Sequence, residues 1–267
     1  MTKSPRVTPP DAHDYLRSIE DHRAKTRASL TSPTSVLAAV ARHEIPIGTR
    51  MRFGPGAGAD VRLEEMPQDV DVRALADGFE IDGVVSPPRS IDAGRYTLRL
   101  SHQNYPAVVV LDAKSPRLRE DVAQRWYPVD PALRIRSKLA PDSQRGSLAS
   151  TASADRPVER VGWIAFEVDG VPVRLAAMRL LEPGYAVDHL DVFFRDGTTG
   201  NQTYEVGRYV TVERTGVGND VVVDFNLAYN PSCALSPFYN CPIPPVENRL
   251  TVPIRAGEMT PFIAGAH

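Results

Sequence analysis

The sequence predicts a mainly β fold: an antiparallel β-sandwich or barrel-like sheets, with N-terminal helices packed against them. Three observations lead to this prediction. Short runs of β-branched and aromatic residues recur from about residue 45 onwards, and such residues favour strands. Gly, Pro, Asn and Asp separate the runs at short intervals, which is typical of sandwiches and barrels. Apolar residues recur at clear helical spacing only near the N-terminus.

The N-terminal region, residues 1–44, carries the helical signal. The Pro-Pro-Asp sequence at 9–11 is a helix start signal, and Tyr15 and Ile19 follow at helical spacing. A second short helix is predicted from 34 to 40. We expect both helices to cover a sheet rather than to bind a ligand.

Residues 45–140 form the first predicted β-rich part. Within it, residues 133–139 alternate between apolar and cationic side chains, as a strand with one buried face does. The glycine-rich run at 53–60 lacks the Gly-Lys-Ser/Thr ending of a phosphate-binding loop, and no helical pattern follows it. We therefore interpret that run as a surface loop.

The Ser- and Ala-rich segment 141–158 lacks core residues and is predicted to be a flexible loop or linker. Residues 159–267 form the second β-rich part. It begins with a hairpin that should turn at Asp169-Gly170, because Asp-Gly suits the left-handed backbone of a tight hairpin turn. The same part carries a polar segment, 191–258, which contains both cysteines of the chain.

The composition is that of a globular protein, with 42% hydrophobic and 24% charged residues in a chain of 267. The formal net charge of -2 gives no basic field that would recruit nucleic acid or anionic lipid. No apolar run approaches the roughly 18 residues of a membrane span, and the N-terminus lacks the apolar region of a signal peptide. We expect a cytoplasmic protein without nucleic-acid or membrane partners, whose cysteines are reduced.

Residues 221–229 are predicted to form a strand with Asp224 and Asn226 on one face, roughly 7 Å apart. A carboxylate beside a carboxamide can bind a sugar, a metal ion or a substrate amide. The alternative is a solvated strand face. Arg208 begins a neighbouring strand, 208–213, and antiparallel pairing would bring it beside either residue. It could then orient an anionic ligand or form a structural ion pair.

Cys233 and Cys241 lie in a proline-rich stretch that can hold side chains rigidly. Buried thiols, a disulfide, metal ligation and nucleophilic catalysis all stay open. A disulfide is disfavoured in a reducing compartment, and a zinc site needs about four ligands, so His189 would have to approach from elsewhere in the fold. The acidic residues of the segment could hold a divalent cation, but they lack the spacing of an EF-hand. The metal and the cofactor therefore stay unassigned.

The polar segment carries a family resemblance. The residues concerned are FFRDGTTGNQTYEVGRYV (193–210), DFNLAYNPSC (224–233), CPIPPVENRL (241–250) and AGE (256–258). In their order and spacing, these pieces resemble a bacterial family known as the domain of unknown function 1684 family. WYPVDPALRIRSKL (126–139) is also similar. The resemblance covers most of the chain and is strongest over the last third. It implies a shared fold and a shared site, but no activity.

The leading hypothesis is an enzyme or ligand-handling protein with a polar pocket in 191–258. It would act on a small polar or anionic molecule by acid/base chemistry, as a hydrolase does for example. Asp224 or Glu247 would serve as general base, and Cys233 as a nucleophile if its pKa is lowered. The ligand-binding side chains would be those of Arg208, Tyr209, Asn226, Tyr229, Asn230 and Asn248.

Two other hypotheses belong to different classes of protein. A non-catalytic β-rich module could bind a small molecule or a protein partner, and Pro253 within 250–255 favours an edge strand that such a partner could use. Alternatively, the polar segment is structural and locks the C-terminal sheet. A homo-oligomer is compatible with each hypothesis.

Overall fold

The computed structural model describes residues 12–263 except 104, 121, 153 and 217. Within these residues the chain forms one α-helix and a set of mainly antiparallel strands, which confirms the predicted mainly β fold. The helix is α1 (Ala12–Leu30), and the strands of the N-terminal half are β1 (Ala39–Glu44), β2 (Arg50–Gly54), β3 (Val61–Arg62), β4 (Val70–Leu75), β5 (Gly78–Ile81), β6 (Val84–Ser86), β7 (Ser90–Ala93), β8 (Tyr96–His102) and β9 (Pro106–Asp112). The later strands are β10 (Val122–Ala123), β11 (Arg134–Leu148), β12 (Arg156–Val168), β13 (Val171–Leu180), β14 (Asp191–Phe194), β15 (Arg208–Arg214), β16 (Asp220–Asp224) and β17 (Phe262–Ile263).

The prediction of a second helix, from 34 to 40, is wrong. Residues 36–38 form a single 3-10 turn, and β1 begins directly after it. β1 pairs with β9 across more than sixty residues of sequence, and Ala39 lies opposite Leu111. Long-range pairing with a fully buried strand overrides the weak local helical pattern here. The start signal at 9–11 lies outside the described residues.

Two sheets precede the barrel and share one core. The first has four strands in the order β1-β9-β8-β7, and the second has five in the order β3-β2-β4-β5-β6. Buried residues from both sheets, among them Phe53, Phe79, Leu98 and Val110, pack in a single cluster. Of the glycine-rich run 53–60, Phe53 and Gly54 are buried at the end of β2, and only residues 55–60 form the predicted surface loop. No helix in the described ranges is long and apolar enough to cross a membrane.

Strands β11 to β16 form a closed barrel, in which β11 pairs with β12 on one side and with β16 on the other. Its interior is apolar, with Leu139, Ile164, Phe194 and Val223 among the buried residues. The predicted turn between β12 and β13 is confirmed. Asp169 has φ 49° and Gly170 has φ 79°, the left-handed pair that a two-residue hairpin of this kind needs.

The segment expected as a flexible loop, 141–158, is mostly strand. β11 continues to Leu148 and β12 starts at Arg156, so the expected boundaries fall inside paired strands. The side chains from 142 to 147 are exposed, which explains the polar composition. Backbone pairing with β12, from Gln144 opposite Arg160 onwards, holds this part of β11 extended.

The chain after β16 covers the outside of the barrel. Tyr209 and Phe193 project from the outer face and pack with Cys241 and the partly buried Tyr229. Tyr239 extends from this cluster to the four-stranded sheet. Residues 250–255 form no strand, contrary to the expectation from their proline. The segment from 229 to 241 thus connects the outside of the barrel with the four-stranded sheet.

Candidate functional site

Asp224 ends β16, and the predicted strand does not continue to residue 229. A 3-10 helix, Phe225–Leu227, follows instead. The Asp224 carboxylate accepts the backbone N–H of Asn226 at 3.0 Å, which gives the backbone an alternative to the sheet. The two side chains still meet, because the Asn226 amide nitrogen also donates to Asp224 Oδ1 at 3.1 Å.

Helix α1 completes this cluster. The Tyr15 hydroxyl donates to Asp224 at 2.9 Å and accepts from the Asn226 amide at 2.9 Å. Asn226 also accepts the Asp130 N–H at 2.8 Å, and Arg134 lies 3.5 Å from the carboxylate. Burial raises the pKa of Asp224, although the hydrogen bonds from Asn226 and Tyr15 act to lower it. The cluster joins α1 to the barrel. The Asp224 and Asn226 side chains are already hydrogen-bonded to other residues of the chain.

Arg208 lies elsewhere, which corrects the expectation that it approaches Asp224 or Asn226. Its buried guanidinium donates to the backbone carbonyls of Ile254, Ala256 and Glu258. The Asp196 carboxylate lies 3.5 Å from Nη2. Arg208 begins β15, as predicted, and its side chain fastens the irregular C-terminal segment to the barrel wall.

Asn248 occupies a gap between two barrel strands. β13 and β14 pair directly only at Met178 and Asp191. The fully buried Asn248 amide bonds both the N–H and the carbonyl of Ala176, at 2.7 and 3.0 Å, and the carbonyl of Phe193 at 2.8 Å. Glu247, its neighbour in the same 3-10 turn, is exposed. The structure therefore does not bring a Glu247 carboxylate into a buried polar pocket.

Glu258 is the buried carboxyl around which the polar segment does converge. Its side chain accepts the Asn230 backbone N–H at 2.8 Å and the Gln124 amide at 3.3 Å. Arg208 bonds its backbone carbonyl at 3.1 Å. Gly257 allows this approach: it has φ 74°, and a Cβ there would lie 2.5 Å from the Ala228 carbonyl oxygen.

The Glu258 carboxyl has an unusual environment. It is 5% exposed, and burial raises its pKa to about 7, opposed by the Asn230 hydrogen bonds and by the Arg208 charge. Two buried oxygens beside it, Oδ1 of Asn230 and Oε1 of Gln124, accept no hydrogen bond from the described residues. The carboxyl thus lies next to two residues whose side-chain oxygens lack a donor among the described residues.

Sequence reasoning considered Glu258 only as an oxygen ligand for a cation, and it missed Gln124. The available signal was a single acid in an apolar and small-residue stretch, Ala256 to Met259. Gln124 lies 134 residues away in sequence, so no local pattern could have paired the two. Within the described residues, no group of three or more His, Cys, Asp or Glu side chains is arranged to hold a metal ion.

The two cysteines form a second cluster. Both are thiols, with Cys233 half-buried and Cys241 buried. The Cys233 N–H donates to Cys241 Sγ at 3.4 Å. Tyr209 and Tyr229, predicted to bind a ligand, pack edge to face beside them with ring centroids 5.8 Å apart. The Tyr209 hydroxyl donates to the Pro242 carbonyl, so it braces the cysteine loop.

Fold and site together define a mainly β protein in which a closed six-stranded barrel is flanked by a buried carboxyl of raised pKa. The family described as "Protein of unknown function (DUF1684)" matches residues 123–259, which include the whole barrel and Glu258. The chain belongs to this family, so the resemblance inferred from the sequence is confirmed.

One solved structure similar to the chain is the solution NMR structure of the uncharacterized protein from gene locus rrnAC0354 of Haloarcula marismortui. The two are 33% identical, and the match covers 51% of this chain and 76% of that chain, with a TM-score of 0.43. No curated protein matches the chain.

Proposed function

We propose that this protein acts on a small polar or anionic molecule by proton transfer at Glu258. One observation supports the proposal above the others. A buried carboxyl with a pKa of about 7 lies beside two buried side-chain oxygens, of Asn230 and Gln124, that lack a hydrogen bond from the described residues. Strongly perturbed carboxyls that are grouped with specific polar neighbours are common at functional sites.

The pKa suits the chemistry. A general acid or base works best when its pKa is close to the operating pH, because both protonation states are then populated. Protonated Glu258 can donate to the vacant oxygen of Asn230 or of Gln124. The ionised form accepts from the Asn230 N–H and from the Gln124 amide. Both protonation states of the carboxyl therefore have candidate partners in the two neighbouring residues.

Glu258 takes the general-base role in this proposal in place of Asp224 and Glu247. The Asp224 carboxylate is occupied by Tyr15 and Asn226, and Glu247 is exposed. Asn230 keeps its proposed ligand-binding role, since its amide borders the carboxyl. A cytoplasmic location remains part of the proposal, on the basis of the sequence.

A ligand screen in which pH is varied tests the proposal. Small carboxylates, phosphates, amides and sugars would be screened against the protein by thermal shift at pH 6 and pH 8, and each ligand found would be titrated by calorimetry. We expect an affinity that changes with a midpoint near pH 7, because burial raises the pKa of Glu258 to about 7. Glu258→Gln should abolish that pH dependence.

Glu247→Gln is the matched control, because it removes a carboxylate from the exposed turn of the same segment. It should leave both the affinity and its pH dependence unchanged. Ligand binding to Glu258→Gln with the same pH profile as the wild type would reject Glu258 as the proton-transfer group. Each ligand would also be followed by NMR for turnover, which distinguishes a catalyst from a ligand-handling protein.

A non-catalytic binding module is the second candidate, and the edge strand β6 favours it. β6 is the last strand of the five-stranded sheet, and Val84 and Val85 are 68% and 69% exposed. An open apolar edge can pair with an extended segment of another chain. Val85→Lys should then abolish self-association of the protein in sedimentation velocity, without lowering its stability. A wild-type chain that sediments as a monomer at all concentrations would argue against self-association through this edge.

A further inference from the structure

The residues around Cys233 and Cys241 carry an inference that is independent of proton transfer at Glu258. The two thiols are the only cysteines of the chain. We propose that they form a dithiol site that undergoes reversible thiol–disulfide exchange with small-molecule disulfides, with Cys233 as the attacking thiol and Cys241 as the resolving thiol.

The backbone geometry brings the Cys241 sulfur against Cys233. The Cys233 N–H donates to Cys241 Sγ at 3.4 Å, so the sulfur of Cys241 lies against the backbone of Cys233. Cys241 is held in place because its own N–H donates to the Thr151 hydroxyl at 3.0 Å. The Tyr204 hydroxyl donates to the Cys233 carbonyl at 3.3 Å. The pair is thus fixed in contact before any oxidation.

Exposure assigns the order of attack. Cys233 is half-buried, whereas Cys241 is 6% exposed and packs among Tyr209 and Phe193. A disulfide that arrives from solvent therefore meets Cys233 first. This order is the one that an exchange reaction needs, because the thiol that attacks a small molecule must be reachable and the resolving thiol needs only to reach its neighbour.

The local hydrogen bonds favour the same assignment. The neighbouring Cys241 thiol lowers the pKa of Cys233 to about 7, and the nearby Tyr204 and Thr151 hydroxyls act in the same direction, against the effect of burial. The hydrogen bond to Cys233 and burial raise the pKa of Cys241. At neutral pH a substantial fraction of Cys233 is therefore the nucleophilic thiolate, while Cys241 keeps its proton.

The reaction balances with a small disulfide, RSSR, as oxidant. The Cys233 thiolate attacks one sulfur of RSSR, the S–S bond breaks and an RS⁻ thiolate leaves, which gives a mixed disulfide on Cys233. Cys241 then loses its proton to solvent or to the released thiolate and attacks Cys233 Sγ. The S–S bond of the mixed disulfide breaks and a second RS⁻ leaves. The sum is one protein dithiol plus RSSR giving one protein disulfide plus two RSH.

The loop that the bond would close lies at a junction of the fold. Leu235, inside it, packs with Leu30 and Leu37 from the N-terminal helix and the turn that follows. Tyr239, also inside it, packs against the four-stranded sheet. Oxidation would restrict this loop and so the contact between the barrel and the N-terminal elements.

Glutathione disulfide is the probe for the experiment. The full-length protein would be incubated at pH 7 with graded mixtures of glutathione disulfide and glutathione, quenched in acid, blocked with a maleimide and weighed by intact mass spectrometry. The wild type should lose both reactive thiols without retaining glutathione, and excess glutathione should restore them. Cys241→Ser should accumulate a mixed disulfide on Cys233. Cys233→Ser should react at least about tenfold more slowly, since Cys241 is buried and protonated.

Several results would overturn the proposal. They are a mixed disulfide that persists on the wild type, equal rates for the two serine variants, or thiols that react only after unfolding in urea. Both variants should react alike in urea, which controls for intrinsic reactivity. Circular dichroism checks that each variant is folded. Glu258→Gln should behave as the wild type in this assay, so a failure of the proton-transfer proposal would leave this result unaffected.

Discussion

Replacement of Glu258 by glutamine should make the folded protein more stable at pH 8 but not at pH 4. The carboxyl has its pKa raised in the folded state, from the ordinary 4.5 to about 7. Between these values the folded state binds more protons than the unfolded state. The stability that the protonated carboxyl contributes is therefore fully present below about pH 4.5 and is lost as the pH rises through about 7.

The expected size follows from the two pKa values. Each tenfold change in proton affinity corresponds to about 1.4 kcal/mol, so the wild type should lose about 3 kcal/mol over this range. Glutamine at position 258 has the same shape as the protonated acid and does not ionise. Its oxygen can accept the Asn230 N–H, and its amide can donate to Oε1 of Gln124, which lacks a hydrogen bond from the described residues.

Urea unfolding at pH values from 4 to 8 measures the effect, with tryptophan fluorescence as the signal. Trp126 is a suitable reporter because its backbone pairs with Glu258. At pH 8 the variant should exceed the wild type in free energy of unfolding by up to about 3 kcal/mol, and at pH 4 the two should agree within about 0.5 kcal/mol. A difference that does not change with pH would refute the argument, because it would show that the pKa of Glu258 is ordinary.

Three further substitutions test the structural clusters. Asn248→Ala should lower the free energy of unfolding by about 2–4 kcal/mol, since it leaves three buried backbone groups unpaired; Glu247→Ala, at the exposed position beside it in the same turn, should change it by less than about 0.5 kcal/mol. Equal effects in urea unfolding would contradict the bridging role of Asn248. Tyr15→Phe removes a donor to Asp224 and should cost about 1–2 kcal/mol, with faster cleavage of α1 in limited proteolysis; unchanged cleavage would show that the hydroxyl does not secure the helix. Arg208→Met should lower the free energy of unfolding by about 3–5 kcal/mol, because it leaves the buried Asp196 carboxylate without its cationic partner. A variant with the wild-type melting temperature would show that Arg208 does not anchor the C-terminal segment.

Local signals in the sequence predicted local structure well. The hairpin at Asp169-Gly170 follows from two residues that tolerate a left-handed backbone. The pairing of β15 with β16 follows from two adjacent apolar runs with a turn between them. The alternation in 133–139 is confirmed in part, with Leu139 in the barrel core and Lys138 exposed.

The predictions that failed have two causes. Some side chains bond nearby backbone groups and interrupt a strand, and other contacts join residues that are far apart in sequence. The strand expected at 221–229 stops because the Asp224 carboxylate binds a backbone N–H two residues later. Arg208 finds its acceptors about fifty residues downstream, in a segment with no regular pattern. Glu258 accepts a hydrogen bond from Gln124, which precedes the barrel by ten residues or more of sequence. No local spacing pattern in the sequence predicts contacts between residues this far apart.

The barrel closes through a pair of strands that leave the ribosome far apart in time. β11 starts at Arg134, and its closing partner β16 ends at Asp224, directly opposite. Until β16 emerges, one edge of β11 is open to any other extended segment. The outward residues Arg136 and Lys138 on this edge are charged and exposed, and such charges discourage unintended strand pairing. The alternation that marks β11 in the sequence therefore also protects the nascent chain during the interval before closure.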